Sequence, residues 1–284
     1  METSPIIDTH VHFWDPDRLS CPWLTGVPAI NRRFTPEEYR SATARLPITG
    51  IVFVQADVAP QHSRAEVEWV AELARSEPRI GAIVAFAPLE EGEAVAGTLE
   101  ELSGQPLVRG IRRLIQSEPD PAFCLRDGFV AGVRALARYD LSFDICIRST
   151  QLESAVELVR TCPGVRFILD HIGKPDIAGG ELEPWMSLIA QLAALPNVTC
   201  KLSGLVTEAH HGSWTSDDLR PYIEHVIECF GFDRLMYGSD WPVVTLAADY
   251  DRWAATLQAE VAGCSATERR KLFHDNAKMT YRFG

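Results

Sequence analysis

Two histidines, His10 and His12, stand two residues apart near the end of the first apolar run, Ile6–Phe13. Strand side chains repeat every two residues, so both imidazoles of a strand there share one face. Such a pair makes a bidentate site for a divalent metal, or two groups able to move protons. Alone, it reads equally well as two satisfied surface histidines. The far end of the chain shifts that balance. Arg234–Asp240 is a short apolar run ending in Asp240, set between tight-turn residues, Gly238-Ser239 before it and Trp241-Pro242 after it. A carboxylate on the last strand meets histidines on the first only if the sheet between them closes, and a barrel is the closed form.

The elements that would position these groups alternate along the whole chain. Eight apolar runs, Ile6–Phe13, Gly50–Asp57, Ile80–Leu89, Val108–Ile115, Leu141–Arg148, Arg166–Ile172, Val198–Gly204 and Arg234–Asp240, are rich in Val, Ile and Phe. They are continuous rather than alternating, the pattern of parallel strands covered on both faces. Amphipathic stretches lie between them. In Ala65–Arg75, Val67, Val70, Ala71 and Ala74 share a helix face, and Phe129–Arg138 repeats the design. Pro221–Phe230 reads as a helix with Pro221 in its first turn. Asp251–Val261 and Ala266–Arg282 read as two closing helices. Asp15–Thr49 reads as a long loop plus a helix near Thr35–Ala44, begun by Pro36, Glu37 and Glu38. The alternation predicts a (β/α)8 TIM barrel, a fold of roughly 250 residues. No break in composition divides the chain, so residues 1–284 read as one domain. The rival, an open doubly wound sheet, lacks its usual Gly-x-Gly-x-x-Gly or P-loop after any strand.

Composition narrows the partners. A chain of 284 residues that is 46% hydrophobic suffices for one large core. Its net charge of −12 disfavours nucleic acid and anionic membrane. The seven cysteines are scattered without a Cys-x-x-Cys pair, which reads as buried thiols in a reducing compartment. No apolar stretch reaches the roughly 18 residues of a membrane span, and the first strand lies where a secretory leader would need its basic and apolar regions. The expectation is a cytoplasmic protein whose partner is a small molecule. Self-association into a homo-oligomer stays open.

In such a barrel the site lies at the C-terminal strand ends. The ends carry Gln55 and Asp57; Arg109, Arg112, Arg113 and Gln116; Arg148; Asp170 and His171; Lys201 and Ser203; and Asp240. Each alone has an ordinary explanation as a cap, a surface ion pair or a snorkelling side chain. Together they point polar groups into one concavity, where buried charges need partners.

Four motifs carry a resemblance: His10-Val-His12-Phe-Trp14, Leu169-Asp170-His171-Ile-Gly-Lys174-Pro175, Cys200-Lys201-Leu-Ser203-Gly204 and Gly238-Ser239-Asp240-Trp241-Pro242. In this order they resemble the amidohydrolase superfamily, and most closely its lactonase branch of sugar-acid, pyrone-dicarboxylate and sulfomuconolactone hydrolases. The resemblance implies a metal-dependent-hydrolase barrel in which His10, His12, His171 and Asp240 hold one divalent ion, zinc by preference, although some members work without metal. The superfamily's binuclear pattern is absent. The fourth run offers Arg112 and Arg113 instead of a bridging ligand, and Phe143-Asp144-Ile-Cys146 has no histidine.

The implied reaction is the opening of a lactone, an aldonolactone such as a fucono-, rhamnono- or galactonolactone. Asp240 takes a proton from water that the histidines position, and Lys201, Arg112 or the metal stabilises the oxyanion. Gln55, Gln116, Arg112, His211 and Glu208 would meet substrate hydroxyls, with Trp14, Trp23 and Trp241 as an aromatic platform. Arg109, Arg113 and Arg148 keep an anionic pyrone-dicarboxylate or muconolactone open. Arg112 and Arg113 face opposite sides of a regular strand, so only one enters the barrel, and the resemblance favours Arg112. A decarboxylase on the same barrel is a second class, separable by carbon dioxide release. A non-catalytic binding protein is a third, disfavoured because no element of the acid–base set is missing.

Overall fold

The computed structural model describes residues 4–284. Its strands are β1 (Ile6–Val11), β2 (Ile48–Val54), β3 (Ile80–Ala85), β4 (Val108–Ile111), β5 (Ser142–Ile145), β6 (Phe167–Leu169), β7 (Val198–Leu202) and β8 (Leu235–Tyr237). They pair in chain order as one parallel eight-stranded sheet. The first and last strands meet through a parallel bridge between Val11 and Trp241. Here Asp240 N–H donates to His10 O (2.9 Å) and His12 N–H to Trp241 O (2.8 Å). The chain folds as the (β/α)8 barrel that the alternation of runs predicts.

The continuous apolar runs bury both strand faces. Ile7, Val52, Val54, Ala82, Val84, Ile168 and Met236 form one cluster with Ala277 and Tyr281 from the C-terminal segment, the filled barrel interior. The alternate residues, Ile51 and Phe53 among them, join the large outer cluster beneath the helices. The C-terminal segment closes the bottom of the barrel, where the Phe283 ring rests on two bare backbones. A Cβ on Gly81 would stand 2.4 Å, and one on Gly50 2.7 Å, from that ring, so neither position accepts a side chain without displacing it.

One irregularity sets the site. Asp8 pairs with Ile51 and Val11 with Phe53, so β1 carries one residue more than β2 over that stretch. Such a bulge reverses the alternation of side chains. Ile7 therefore faces the barrel interior, Asp8 faces outward, and His10 and His12 again face inward. Asp8 uses its outward position to accept from Tyr39 OH (3.0 Å), Tyr250 OH (2.8 Å) and Ser239 N–H (2.8 Å). The last of these pins the turn that carries Asp240.

Several boundaries differ from the sequence reading. The strands are shorter than the apolar runs, because the last residues of most runs leave the sheet to form the loops around its mouth. The helix between β7 and β8 spans Ser216–Phe230, with Pro221 inside it rather than in its first turn. Its true start is a Thr215–Asp218 capping box, legible in Thr-Ser-Asp-Asp but outweighed in the reading by proline. The segment read as Ala266–Arg282 is broken into Ala266–Arg270, a π-helical turn at Lys271–Asp275, and Asn276–Thr280. No helix among the described residues is long and apolar enough to cross a membrane.

Candidate active site

Three imidazoles converge on one carboxylate oxygen at the mouth of the barrel. Asp240 Oδ1 lies 3.3 Å from His12 Nε2, 3.7 Å from His10 Nε2 and 3.9 Å from His171 Nε2. The other ring nitrogens assign the tautomers. His12 Nδ1 is 2.7 Å from Val54 O; a carbonyl only accepts, so the proton is on Nδ1. His10 Nε2 is 3.1 Å from Arg112 Nη1; a guanidinium only donates, so this nitrogen presents its lone pair, and Nδ1 faces Asp170 Oδ1 at 3.3 Å. His171 Nδ1 meets Ser203 Oγ at 2.9 Å. Burial holds the His10 and His171 imidazoles well below the usual histidine range, so both are neutral. Electron-rich nitrogens facing a carboxylate need a proton or a cation between them. That donor set fits a divalent metal, and the ligand atoms of His10, His12 and Asp240 all lie within 4.8 Å of one another.

Local backbone explains how short loops aim these groups. His171, Ile172, Gly173 and Lys174 all have positive φ (53°, 50°, 75° and 48°), and so has Asp240 (62°). Left-handed residues reverse the chain directly after β6 and turn His171 back over the barrel. Gly204 leaves the room for it, since a Cβ there would lie 2.4 Å from His171 Nδ1.

Beneath the histidines lies a buried charged layer. Lys201 Nζ is 2.6 Å from Asp144 Oδ2 and 3.0 Å from Asp170 Oδ1. Burial works against the Lys201 ammonium, but Asp144 and Asp170 outweigh it and keep the group protonated. Burial likewise works to raise Asp170, and Lys201, His10 and Arg112 outweigh it, holding that carboxyl well below its usual range. Arg112 donates to Asp170 Oδ2 (3.2 Å) and to Gln55 O (2.6 Å), while its Nε is buried without a partner among the described residues. Asp240 is lowered too: burial works to raise it, and the positive charge of Lys174 at the cavity acts to lower it.

Above this layer opens a cavity of about 180 Å3, walled by His12, His171, Asp240, Arg112, Gln116 and Trp23. It suits a single small ring. The structure thus brings together His10, His12, His171, Asp240, Arg112, Gln116 and Trp23. Other candidates stand elsewhere. Lys201 is fully buried below His10 and does not reach the cavity, because two carboxylates hold its ammonium inside the barrel; an oxyanion role is out of its reach. Trp14 is buried with Nε1 donating to Arg32 O (2.8 Å). Trp241, one residue past Asp240, points outward into a cluster with Phe13, Phe34 and Tyr39. Neither is a platform. The Gln55 side chain is buried behind the wall, its Oε1 accepting from Asp57 N–H.

Arg109 donates to Tyr281 O at the barrel bottom, and Arg148 is exposed outside the cavity. Arg113 pairs with Glu90 and Glu118 at the rim, on the side of β4 opposite Arg112. His211 is exposed against Thr207 O, and Glu208 faces Lys174 (3.6 Å). The sequence reading gave no role to Asp57, Lys174 or Cys146, which also line the cavity. The signal for Lys174 was its place after His171. Cys146 shares the inward parity of Asp144, and burial pushes its thiol up to about 11, so it is not a nucleophile at neutral pH.

An eightfold barrel with three histidines and an aspartate at its C-terminal mouth is the architecture of a metal-dependent hydrolase. Residues 7–283 match the amidohydrolase family, and the chain belongs to it. It is 33% identical to L-fucono-1,5-lactonase of Burkholderia ambifaria, over 97% of this chain and 95% of that protein. L-rhamnono-gamma-lactonase of Scheffersomyces stipitis is 24% identical over 99% of both. An amidohydrolase from Burkholderia multivorans, solved with bound zinc, matches with a TM-score of 0.89 at 32% identity, covering 99% of this chain and 100% of that one.

Proposed function

We propose that the chain is a lactonase that opens a sugar-acid lactone, with Asp240 as the base. The observation that carries this reading is the convergence of three imidazole Nε2 atoms on Asp240 Oδ1 at the floor of a one-ring cavity. The sugar lactonases among its relatives support it.

A divalent ion held by His10, His12, His171 and Asp240, zinc in one similar structure, would supply Lewis acidity toward water and the lactone carbonyl. Asp240, whose carboxyl lies below its usual range, accepts a proton from water lodged at the imidazoles. The water oxygen adds to the carbonyl carbon, and the Arg112 guanidinium in the cavity wall is the donor for the oxyanion. A well-placed donor of this kind is worth about 3–4 kcal/mol. Collapse breaks the ring C–O bond, and Asp240 returns its proton to the ring oxygen, leaving the hydroxy acid.

The arginines speak for a neutral substrate. A dicarboxylate or sulfonate would use several convergent guanidinium groups. Here Arg109, Arg113 and Arg148 stand away from the cavity, and Arg112 is already engaged by Asp170. The test is a panel of aldonolactones followed with a pH indicator, with and without chelator. Proton release on at least one aldonolactone is expected. No release from any of them, or carbon dioxide release from an aromatic acid instead, would refute the reading.

A further inference from the structure

Asp57 belongs to the cavity wall but to no step of the proposed reaction. It follows β2 by three residues and holds a left-handed backbone, φ 54°, a conformation that aspartate and asparagine adopt more readily than most residues. The loop beneath it is tied at every residue. Gln55 O accepts from Arg112 Nη2 (2.6 Å), Ala56 N–H donates to Glu66 (2.8 Å), Ala56 O accepts from Trp23 Nε1 (2.8 Å), and Asp57 N–H donates to Gln55 Oε1 (2.5 Å). A strained residue on so well-fixed a loop has its carboxylate aimed by the fold.

Burial works to raise the Asp57 carboxyl, and Arg112 and Arg113 act on it through space without pairing with it. Arg112 is balanced by Asp170 at 3.2 Å, and Lys174 faces Glu208 at 3.6 Å. No lysine, arginine or histidine among the described residues forms an ion pair with Asp57. The cavity wall therefore presents an open carboxylate, solvent-accessible at the mouth. Beside it stands the half-buried Trp23 ring, anchored to the same loop. A carboxylate with two free oxygens accepts two adjacent O–H donors, and an indole face takes the C–H side of a ring. A ligand carboxylate placed there meets like charge instead.

Building on the lactonase reading, we infer that Asp57 is a specificity-determining residue: its carboxylate accepts hydrogen bonds from neighbouring hydroxyls of a neutral sugar lactone and repels lactones that carry a carboxylate. The matched probes are a neutral aldonolactone and the lactone of the corresponding aldaric acid, in which a carboxylate replaces the terminal CH2OH. Wild-type enzyme should favour the neutral compound at least about tenfold in kcat/KM. Asp57→Asn keeps the shape and the left-handed backbone. It should lower kcat/KM for the neutral lactone about tenfold, mainly through KM, the loss expected for a charged hydrogen bond. It should raise kcat/KM for the charged one, so that the preference shrinks by about tenfold or more. A folded Asp57→Asn whose preference stays within twofold of wild type overturns the inference. The neutral probe is one the panel shows to be opened; if wild-type enzyme opens none of the panel, the lactonase reading fails, and a neutral aldonolactone and its aldaric counterpart then serve as ligands in thermal unfolding. Stabilisation of the wild type by the neutral compound alone, evened out in Asp57→Asn, would still support the role of Asp57. Equal or absent shifts in both proteins would overturn it.

Discussion

Glu66 offers a sharp test of how the loop beside the cavity is held. It lies on the helix Ser63–Ser76, is fully buried, and accepts from Ala56 N–H at 2.8 Å with Oε1, while Oε2 has no partner among the described residues. Burial pushes its carboxyl up to about 8, against the Ala56 hydrogen bond and Arg112, which act to lower it. The protonated form therefore holds the loop at neutral pH. A folded-state value above the unfolded one means that the native protein binds more protons between the two. This contribution to stability is complete below about 4.5 and is lost as pH rises through the folded value. A gap of about three to four pH units, at about 1.4 kcal/mol each, amounts to about 4–6 kcal/mol across the whole window. Glu66→Gln keeps the acceptor for Ala56 and removes the titration. The variant need not be more stable than wild type at pH 5, because its amide is also buried. It should nevertheless gain about 3–5 kcal/mol on wild type between pH 5 and pH 9. Urea denaturation of both proteins at several pH values measures this. Stability–pH curves that run parallel within about 1 kcal/mol would refute the reasoning.

Lys201→Met should destabilise by about 3–5 kcal/mol, because it leaves Asp144 and Asp170 buried without their shared cation; a protein of wild-type stability that has lost all turnover would return Lys201 to the chemistry. Asp240→Asn should lower kcat by about 10²-fold or more with an unchanged circular dichroism spectrum, since an amide takes no proton, and turnover within about tenfold of wild type would remove it as the base. Arg112→Ala should reduce kcat/KM on an aldonolactone by about 10–1000-fold, whereas Arg113→Ala, at the rim with Glu90 and Glu118, should leave it within a few-fold; the reverse order would reject the inward assignment. Elemental analysis should find no more than one tightly bound divalent ion per chain, and two would contradict the donor set described.

The barrel was legible because its signal is long-range and redundant. Eight runs apolar on both faces, each followed by an amphipathic stretch, tolerate errors of several residues at every boundary without changing the order of elements. The π-helical turn at Lys271–Asp275 was not legible, because it depends on local packing that competes with propensity, whereas the helix start before Pro221 stood in the sequence as a capping box and was passed over. Tertiary contacts decide such contests.

Side-chain direction divided the site in the same way. Parity put Arg112 and Arg113 on opposite faces because β4 is regular up to Ile111, and the resemblance chose Arg112 as the inward one. For His10 and His12 the two-residue spacing was enough: both residues lie beyond the bulge, so their common face survives it, although counting from Ile7 would have turned them outward. Parity fails once the chain leaves the sheet. Trp241 follows Asp240 directly and was assigned to the same cavity, yet it faces the outer aromatic cluster. Asp57, given no role, lines the cavity through a left-handed φ that no spacing announces. Lys201 shows a different limit. Its inward direction was read correctly, but depth along the strand was not, and depth decides whether an ammonium meets substrate or two buried carboxylates. In this barrel the residues that leave the strands in left-handed turns, His171, Asp240 and Asp57, reach the cavity. The inward charges still within the strands, Asp144 and Lys201, form the layer that holds it up.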